Sequence, residues 1–559
     1  MTSNDAPSPQ APRPADEAQA IEHAPAAAPD APPSAPLPAS GTPRRGHLVI
    51  LALIVLGALG LRVYELDRRS IWMDEIWAMC VSAGHELESV QPLDVVIDPP
   101  PAPPSSLREA VPWWEVWYKS KATTHPPLYY VVLRLWREAM GESQAVARAL
   151  SVVFSMASLL LLWDLARRTL GPTAALWSAA LMAVAVPQVV QAQEVRNYAF
   201  QLVLALLAAW SLVRIERDGL SPMRLALLVV ALLAGMLNHY FSLGVYTGLL
   251  IWTLLTLRGR TLGWTVGAFV ASGLLFLLAW GADFREQMQI FRVGPETNDW
   301  LYDARPGRAW RALGQAMLVP AELIAPIDER TRLAAYLGAA LYVLPPFLWK
   351  RRPELRLPWI WLVSSVGLLL ALDIARSTLH LTHLRYSFVA SPAVYMLLCG
   401  IVAPMRWVRH LLPAAAALSC ALPLRTHYTE PYVDWRWPID DLRAWTEPGD
   451  VLVFTSEGGP YYQVHLAFVS IGHYLGEFPG PVVLTQRNLP REVTDKLAAR
   501  GRTTWLITGQ GPTEPDRIVP GATVHERYPF HGTIDVWRLT WNDDGPTTGP
   551  SQAGPSSTD

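Results

Sequence analysis

Long apolar stretches separated by short polar turns run through most of this 559-residue chain, at 47–64, 147–165, 172–190, 198–213, 223–237, 241–257, 262–281, 333–349, 357–373, 386–403 and 410–424. A bilayer core ~30 Å thick takes roughly 17–25 helical residues to cross, and most of these segments approach that length. The pattern predicts a polytopic α-helical membrane protein with about 11 transmembrane helices. The segment 126–140, PPLYYVVLRLWREAM, is shorter, opens on two prolines and carries Arg134 and Arg137. It reads as an interfacial helix rather than a span.

The charges between the spans test that assignment. With the first span starting inside, the turns holding Arg167-Arg168, Arg214/Arg217/Arg224, Arg258/Arg260, Lys350-Arg351-Arg352 and Arg406/Arg409 all fall on the side of Arg44-Arg45. That is the positive-inside bias, and counting 126–140 as a span would invert it. The long segments 65–146 and 282–332 are then expected on the outer side.

Both ends of the chain differ from the middle. Residues 1–43 form a Pro/Ala-rich tract, almost without large apolar side chains, that is expected to be a disordered cytoplasmic tail. Arg44-Arg45 and the apolar run after it read as a retained span rather than a cleaved leader. The membrane domain is expected over 44–425. Beyond it DVLVFTS, PVVLTQ, TTWLITGQ and IDVWRLT read as strands, and DLRAWTE, YYQVHLAFVS and EVTDKLAAR as helices. These predict a small extracytoplasmic α/β domain over 426–542, followed by a flexible tail at 543–559.

Composition narrows the function. The chain is 51% hydrophobic and only 17% charged, with 46 Lys+Arg against 48 Asp+Glu. No global basic field exists to hold nucleic acid. Cys80, Cys399 and Cys420 lie far apart, which suggests neither a disulfide framework nor a thiolate metal site.

Candidate chemistry gathers in the outer segments. Asp74 and Glu75 follow the first span, flanked by Ile71, Trp72, Ile76 and Trp77. A carboxylate held at the membrane surface can take a proton from a hydroxyl or amine, although an acid pair at a helix start also has a purely structural use. His125 stands before Pro126-Pro127, as a phosphate contact or a plain surface histidine. The QEVRNY turn supplies Glu194, Arg196 and Tyr198, either a planar fork for a phosphate or a surface ion pair. Asn238–Ser242 adds His239 and Tyr240. A late turn collects Arg376, His380, His383, Arg385 and Tyr386. The three-residue spacing of His380 and His383 leaves a divalent-metal site open, with no third His or carboxylate partner identifiable from sequence. All these groups fall on the outer side under the topology set by the basic turns.

The motifs WMDEIW, THPPLYY, GESQAVARALS, ARRTLGP and QEVRNY, with HLRY before a late span, resemble in their order the bacterial membrane glycosyltransferases of the GT-C fold. Relatives include the protein O-mannosyltransferases and the lipid A aminoarabinose transferases. The resemblance covers about residues 47–424. It implies a sugar donor linked to polyprenyl phosphate, an envelope acceptor (glycolipid, polysaccharide or protein) at the outer face of the bacterial cytoplasmic membrane, and inverting displacement at the anomeric carbon. Asp74 would be the general base and Glu75 would orient it or a neighbouring cation. His125, Arg196 and Arg385 would meet the donor phosphate, with Glu194, Tyr198, Tyr386 and His383 supporting. The aminoarabinose transferases carry an acidic residue where this chain has Thr124, a departure that puts carry-over of a metal site in doubt and leaves a divalent metal open. Two other readings are a transporter of lipid-linked sugars and a membrane scaffold presenting the C-terminal domain. The first would need polar groups at the membrane midplane, and Asp164 sits near the cytoplasmic end of its span.

Overall fold

The computed structural model describes residues 43–85, 92–290, 301–303, 305–327, 336–429, 436–455, 461–508, 514–530 and 534–541. The tails expected at the two ends lie outside this set, apart from Pro43.

Among the described residues, six helices are long and apolar enough to cross a membrane: Arg45–Val63, Gln144–Leu170, Tyr198–Asp218, Gly259–Gln289, Pro353–Arg376 and Leu384–Val402. A seventh span is formed if Pro172–Val184 and Val186–Ala192, bent by 58° at their junction, count together. Pro222–Asn238 and Ser242–Thr256 are apolar but shorter. The last predicted segment is divided into Val408–Ser419 and Ala421–Thr429, with Pro413 inside the first piece. Pro345 and Pro346 likewise lie within the short helix Ala340–Leu348.

The bend in the third apolar segment has a local cause. Ala185 leaves the helical region, and Pro187 two residues on brings no N–H to continue the ladder. Carbonyls orphaned at the break are taken by Arg62, buried at the end of the first span, which donates to Met182 O at 2.9 Å and Ala183 O at 3.0 Å. Arg62 also donates to Ser155 Oγ at 2.8 Å. A cation at a helix C-terminus meets the negative end of the dipole, so this charge is satisfied without a carboxylate.

Helices pack closely where side chains vanish. A Cβ on Gly248 would lie 2.2 Å from Ser364 Oγ, so glycine is what lets Ser242–Thr256 lie against Arg356–Arg376. Trp361, fully buried on the latter helix, donates its indole N–H to Val389 O at 3.0 Å.

The segment 126–140 is a helix, Leu128–Met140, and is absent from the long apolar set, as its composition predicts. Its Arg134 and Arg137 are buried against Met73–Ala83 rather than turned to the surface. Arg137 donates to Met79 O at 3.1 Å and to Ser82 Oγ at 2.9 Å.

The C-terminal domain is a five-stranded sheet in the order β2-β1-β3-β5-β4, with β1 Val451–Thr455, β2 Val482–Thr485, β3 Thr504–Thr508, β4 Thr523–Phe530 and β5 Ile534–Thr540. The first three strands are parallel, joined through the helices Tyr461–Leu475 and Arg491–Arg500, and β5 and β4 close the sheet antiparallel. β1 and β3 are buried throughout, as expected for parallel strands covered on both faces. The free edge of β2 is met by the first long loop, through bridges of Leu93 to Leu484 and Ile97 to Val482. Thr485 donates to Asp94 Oδ1 at 2.6 Å, and Arg500 pairs with Asp98 at 2.8 Å. Loop and domain are thereby fastened together, and an open strand edge is covered.

Candidate active site

Met73–Ala83 begins immediately after Trp72, so Asp74 and Glu75 occupy its first turn, where the helix dipole favours negative charge. The two carboxylates then diverge. Glu75, wholly buried, accepts from Arg148 Nη2 at 2.7 Å and Nε at 2.9 Å. It also accepts the Val195 backbone N–H at 2.8 Å. This bidentate pair ties the acidic helix to Gln144–Leu170 and to the turn carrying Arg196.

Asp74 faces two guanidiniums. Its Oδ2 lies 3.1 Å from Arg196 Nη1 and 2.9 Å from Arg385 Nη1. Arg196 also donates to Asp74 O at 3.3 Å. Both cations lie over Trp72, at 5.9 Å and 5.7 Å from the ring centroid. Tyr198 and Tyr386 back them, at 5.4 Å from Arg196 and 5.2 Å from Arg385. The charge on Asp74 pushes the Arg196 pKa up against the opposing effect of burial, so this cation is fixed in its charged form.

His125 extends the cluster. Its ring meets His239 edge-on at 5.1 Å, and His239 lies 5.4 Å from Tyr198. Burial, followed by the charge of Arg196, lowers the His239 pKa to about 3. Burial, then His239 and Arg196, drives that of His125 well down. Both shifts favour the neutral ring, in which an imidazole can donate or accept a hydrogen bond. Thr124 Oγ1 stands 2.9 Å from His125 Nδ1, and Gln287 donates to His125 O at 3.0 Å.

The remaining predicted residues are arranged around this centre. Glu194, half-buried, accepts from Gln191 at 3.0 Å, and its backbone carbonyl accepts from Ser151 at 2.6 Å. Withdrawal from water, then the charges of Glu75 and Asp74, raises its pKa to about 7. It borders a small polar recess shared with Trp72, Glu75, Arg148 and His427. His383 packs on Tyr386 at 6.0 Å. His380 is engaged elsewhere, with its Nδ1 2.9 Å from Asp373 Oδ1 and 2.8 Å from Thr378 Oγ1. Among the described residues no group of three or more His, Cys, Asp or Glu side chains could hold a metal ion.

Sequence reasoning passed over Arg148 and Trp72 as site residues. Arg148 carried a signal: an arginine one turn inside an apolar helix is costly unless paired. An apolar recess of about 720 Å³ also opens between Arg45–Val63 and Pro172–Val184, walled by Gly57, Gly60, Ala180 and Ala183 with Tyr64 and Tyr428 at its end.

This architecture, a polytopic helical bundle with the small sheet domain seated over its acidic helix, is the GT-C fold that the motifs implied. The family model for dolichyl-phosphate-mannose-protein mannosyltransferase matches residues 124–280. No curated protein matches the chain. Among solved structures, ArnT from Cupriavidus metallidurans in the apo state superposes with a TM-score of 0.52 at 13% identity, covering 90% of this chain and 99% of that one. The same enzyme bound to undecaprenyl phosphate gives 0.48 at 13% identity, over 90% and 99% of the two chains. The archaeal oligosaccharyltransferase AglB from Archaeoglobus fulgidus gives 0.44 at 12% identity, over 83% of this chain and 69% of that one.

Proposed function

We propose that this protein is an integral membrane glycosyltransferase that moves a sugar from a polyprenyl-phosphate donor to an envelope acceptor on the outer face of the cytoplasmic membrane. The observation that carries the reading is the carboxylate of Asp74 set between Arg196 and Arg385, which are brought to it from distant parts of the chain. The matched family is named for transfer from a dolichyl-phosphate sugar, which supports a lipid-phosphate leaving group. The apolar recess beside the first span suits the chain of such a lipid. The sidedness follows the basic turns, which lie on the cytoplasmic side in the topology that puts Asp74 outside.

In this mechanism Asp74 accepts the proton of an acceptor hydroxyl or amine. The acceptor atom attacks the anomeric carbon as the bond to the phosphate oxygen breaks, inverting the configuration. The electron pair leaves on the phosphate, where the two guanidiniums, released in part from the carboxylate that is being protonated, strengthen their hold. Neutral His125 donates or accepts a hydrogen bond at the donor headgroup, and holding donor and acceptor together supplies much of the remaining acceleration.

The test is mass spectrometry of envelope glycans and polyprenyl-phospho-sugars from a deletion strain carrying the unaltered gene or Asp74→Asn. Loss of one sugar with accumulation of its lipid donor, restored by the unaltered gene alone, is the expected result. Loss of a general base lowers the rate by roughly 10²–10⁴-fold. Full restoration by Asp74→Asn would remove Asp74 as base, and an unchanged glycan and donor profile in the deletion strain would remove the transferase reading.

A further inference from the structure

We infer that the C-terminal domain sets the position of Asp74, with Tyr474 and His473 as positioning residues; this rests on the transfer reading above. The two residues are adjacent in the last turn of the Tyr461–Leu475 helix, yet they reach opposite ends of the helix that carries Asp74. On one side the Tyr474 hydroxyl accepts the Ile71 backbone N–H at 2.5 Å and donates to Gln144 Oε1 at 3.0 Å. The Gln144 amide donates in turn to Arg69 O. Ile71 directly precedes Trp72, the residue that caps Met73–Ala83.

On the other side His473 Nδ1 lies 2.9 Å from Ser105 Oγ. Ser105 O accepts from Arg137 Nη2 at 2.5 Å, and Arg137 Nη1 donates to Met79 O and Ser82 Oγ near the end of the same helix. Burial, then the nearby charges of Arg137 and Arg148, lowers the His473 pKa to about 4, so the ring is neutral and this arm keeps one form through the physiological range.

An 11-residue helix held at both ends from one turn of another domain takes its placement from that domain. Asp74 sits one turn from the Tyr474 arm, and a displacement of ~1 Å at a reacting group can cost about 100-fold in rate. The bridges of the 92–98 loop to β2 fasten a further part of the first long loop to the same domain.

The experiment uses the full chain, purified in detergent, with the polyprenyl-phospho-sugar fraction that accumulates in the deletion strain as donor. Tyr474→Phe keeps the ring, which packs on His473 at 4.9 Å, and removes only the hydroxyl. We expect kcat to fall by about tenfold with the donor KM unchanged and the thermal midpoint lower by a few degrees at most. Ser105→Ala tests the His473 arm independently, should Tyr474→Phe fold poorly, and is expected to act in the same way. Because Tyr474 and Gln144 share one network, adding Gln144→Ala to Tyr474→Phe costs less than the sum of the two single losses. Arg527→Ala, which opens an exposed ion pair within the sheet, serves as the control with unaltered kcat. Unchanged turnover in Tyr474→Phe and Ser105→Ala, strict additivity with Gln144→Ala, or losses that only track lost folded protein would overturn the positioning role. A wild-type chain with no transfer at all would instead remove the transfer reading.

Discussion

The two ends of the helix bundle each gather arginines around aspartate, and they do so in opposite ways. At the end with the basic turns, Asp164 is held by Arg167 and Arg168, three and four residues along its own helix, and by the indole of Trp210 at 2.8 Å. Asp218 is held similarly by Arg214, again four residues away, with Arg168 at 3.6 Å. At the end that bears the sheet domain, Asp74 takes Arg196 and Arg385 from 122 and 311 residues away. Neighbours on one helix meet as soon as the helix forms, at little ordering cost. Guanidiniums drawn from distant turns meet only when the whole bundle closes. Like charges so placed repel unless the carboxylate, or a substrate, stands between them. The first arrangement pairs charges within the last turns of single helices, and the second brings together charges that the fold assembles against their own repulsion.

Glu75 offers the strongest way to break the comparison, because it is as buried as any charge in the molecule and yet faces away from the Asp74 pair. Glu75→Gln leaves the Arg148 guanidinium without its carboxylate, and removing one partner of a buried pair costs ~3–5 kcal/mol. Folded protein should be largely lost, read as the monodisperse fraction in detergent and its thermal midpoint. Replacing both partners with apolar side chains, Glu75→Leu with Arg148→Met, should recover much of the folded fraction. Recovery would define the pair as a brace for the acidic helix. Failure of the double variant to fold would mean that the remaining Arg148 bonds, to Leu66 O at 3.0 Å and Arg69 O at 2.8 Å, matter more than the charge pairing.

The same contrast explains what could be read in the sequence. Apolar helices were legible because an apolar window is a local property, and every predicted segment contains helix among the described residues, of which six, or seven with the bent pair, are long and apolar enough to cross a membrane. Basic turns were legible for the same reason. Asp74, Arg196 and Arg385 were recognisable as polar groups in costly places and as parts of motifs, but nothing local showed that they share one carboxylate oxygen. The pairing of Glu75 with Arg148 spans 73 residues and was invisible to any local window. Reading the segment 126–140 as a short helix matched Leu128–Met140 and hid the burial of Arg137, whose partners sit on another helix and a loop. In the sheet domain four of five strands were legible as apolar runs. β4 was passed over because His525, Glu526, Arg527 and Pro529 make it polar, as an edge strand exposed to water can be.

Glu194 sharpens the comparison through pH. Its carboxyl titrates near 7 in the folded chain, against 4.5 for the ordinary group, because burial and the neighbouring Glu75 and Asp74 favour the protonated form. A group whose folded pKa is raised stabilises the fold fully below its unfolded pKa, and that contribution is lost as pH rises through the folded value. Thermal midpoints of the wild type should therefore fall relative to Glu194→Gln between about pH 4.5 and pH 7, most steeply midway between those two values, and level off above 7. Parallel midpoint curves would show that Glu194 is not the titrating group. A gap that widens toward acid would reverse the assigned direction.

Asp164→Asn should do least. The site lies sixteen residues beyond Arg148 on the same helix, about 24 Å further along at the usual rise per residue. Its pairs are local and partly exposed, the setting in which ion pairs contribute ~0.2–1 kcal/mol. The asparagine can still accept the Trp210 indole N–H, and Arg168 keeps Asp218 at 3.6 Å. Sugar transfer by Asp164→Asn should match the wild type, with a thermal midpoint lower by a few degrees at most. A collapse of activity with the protein still folded would mean that the basic-turn end takes part in the reaction cycle, and the two ends would then differ in construction without differing in function.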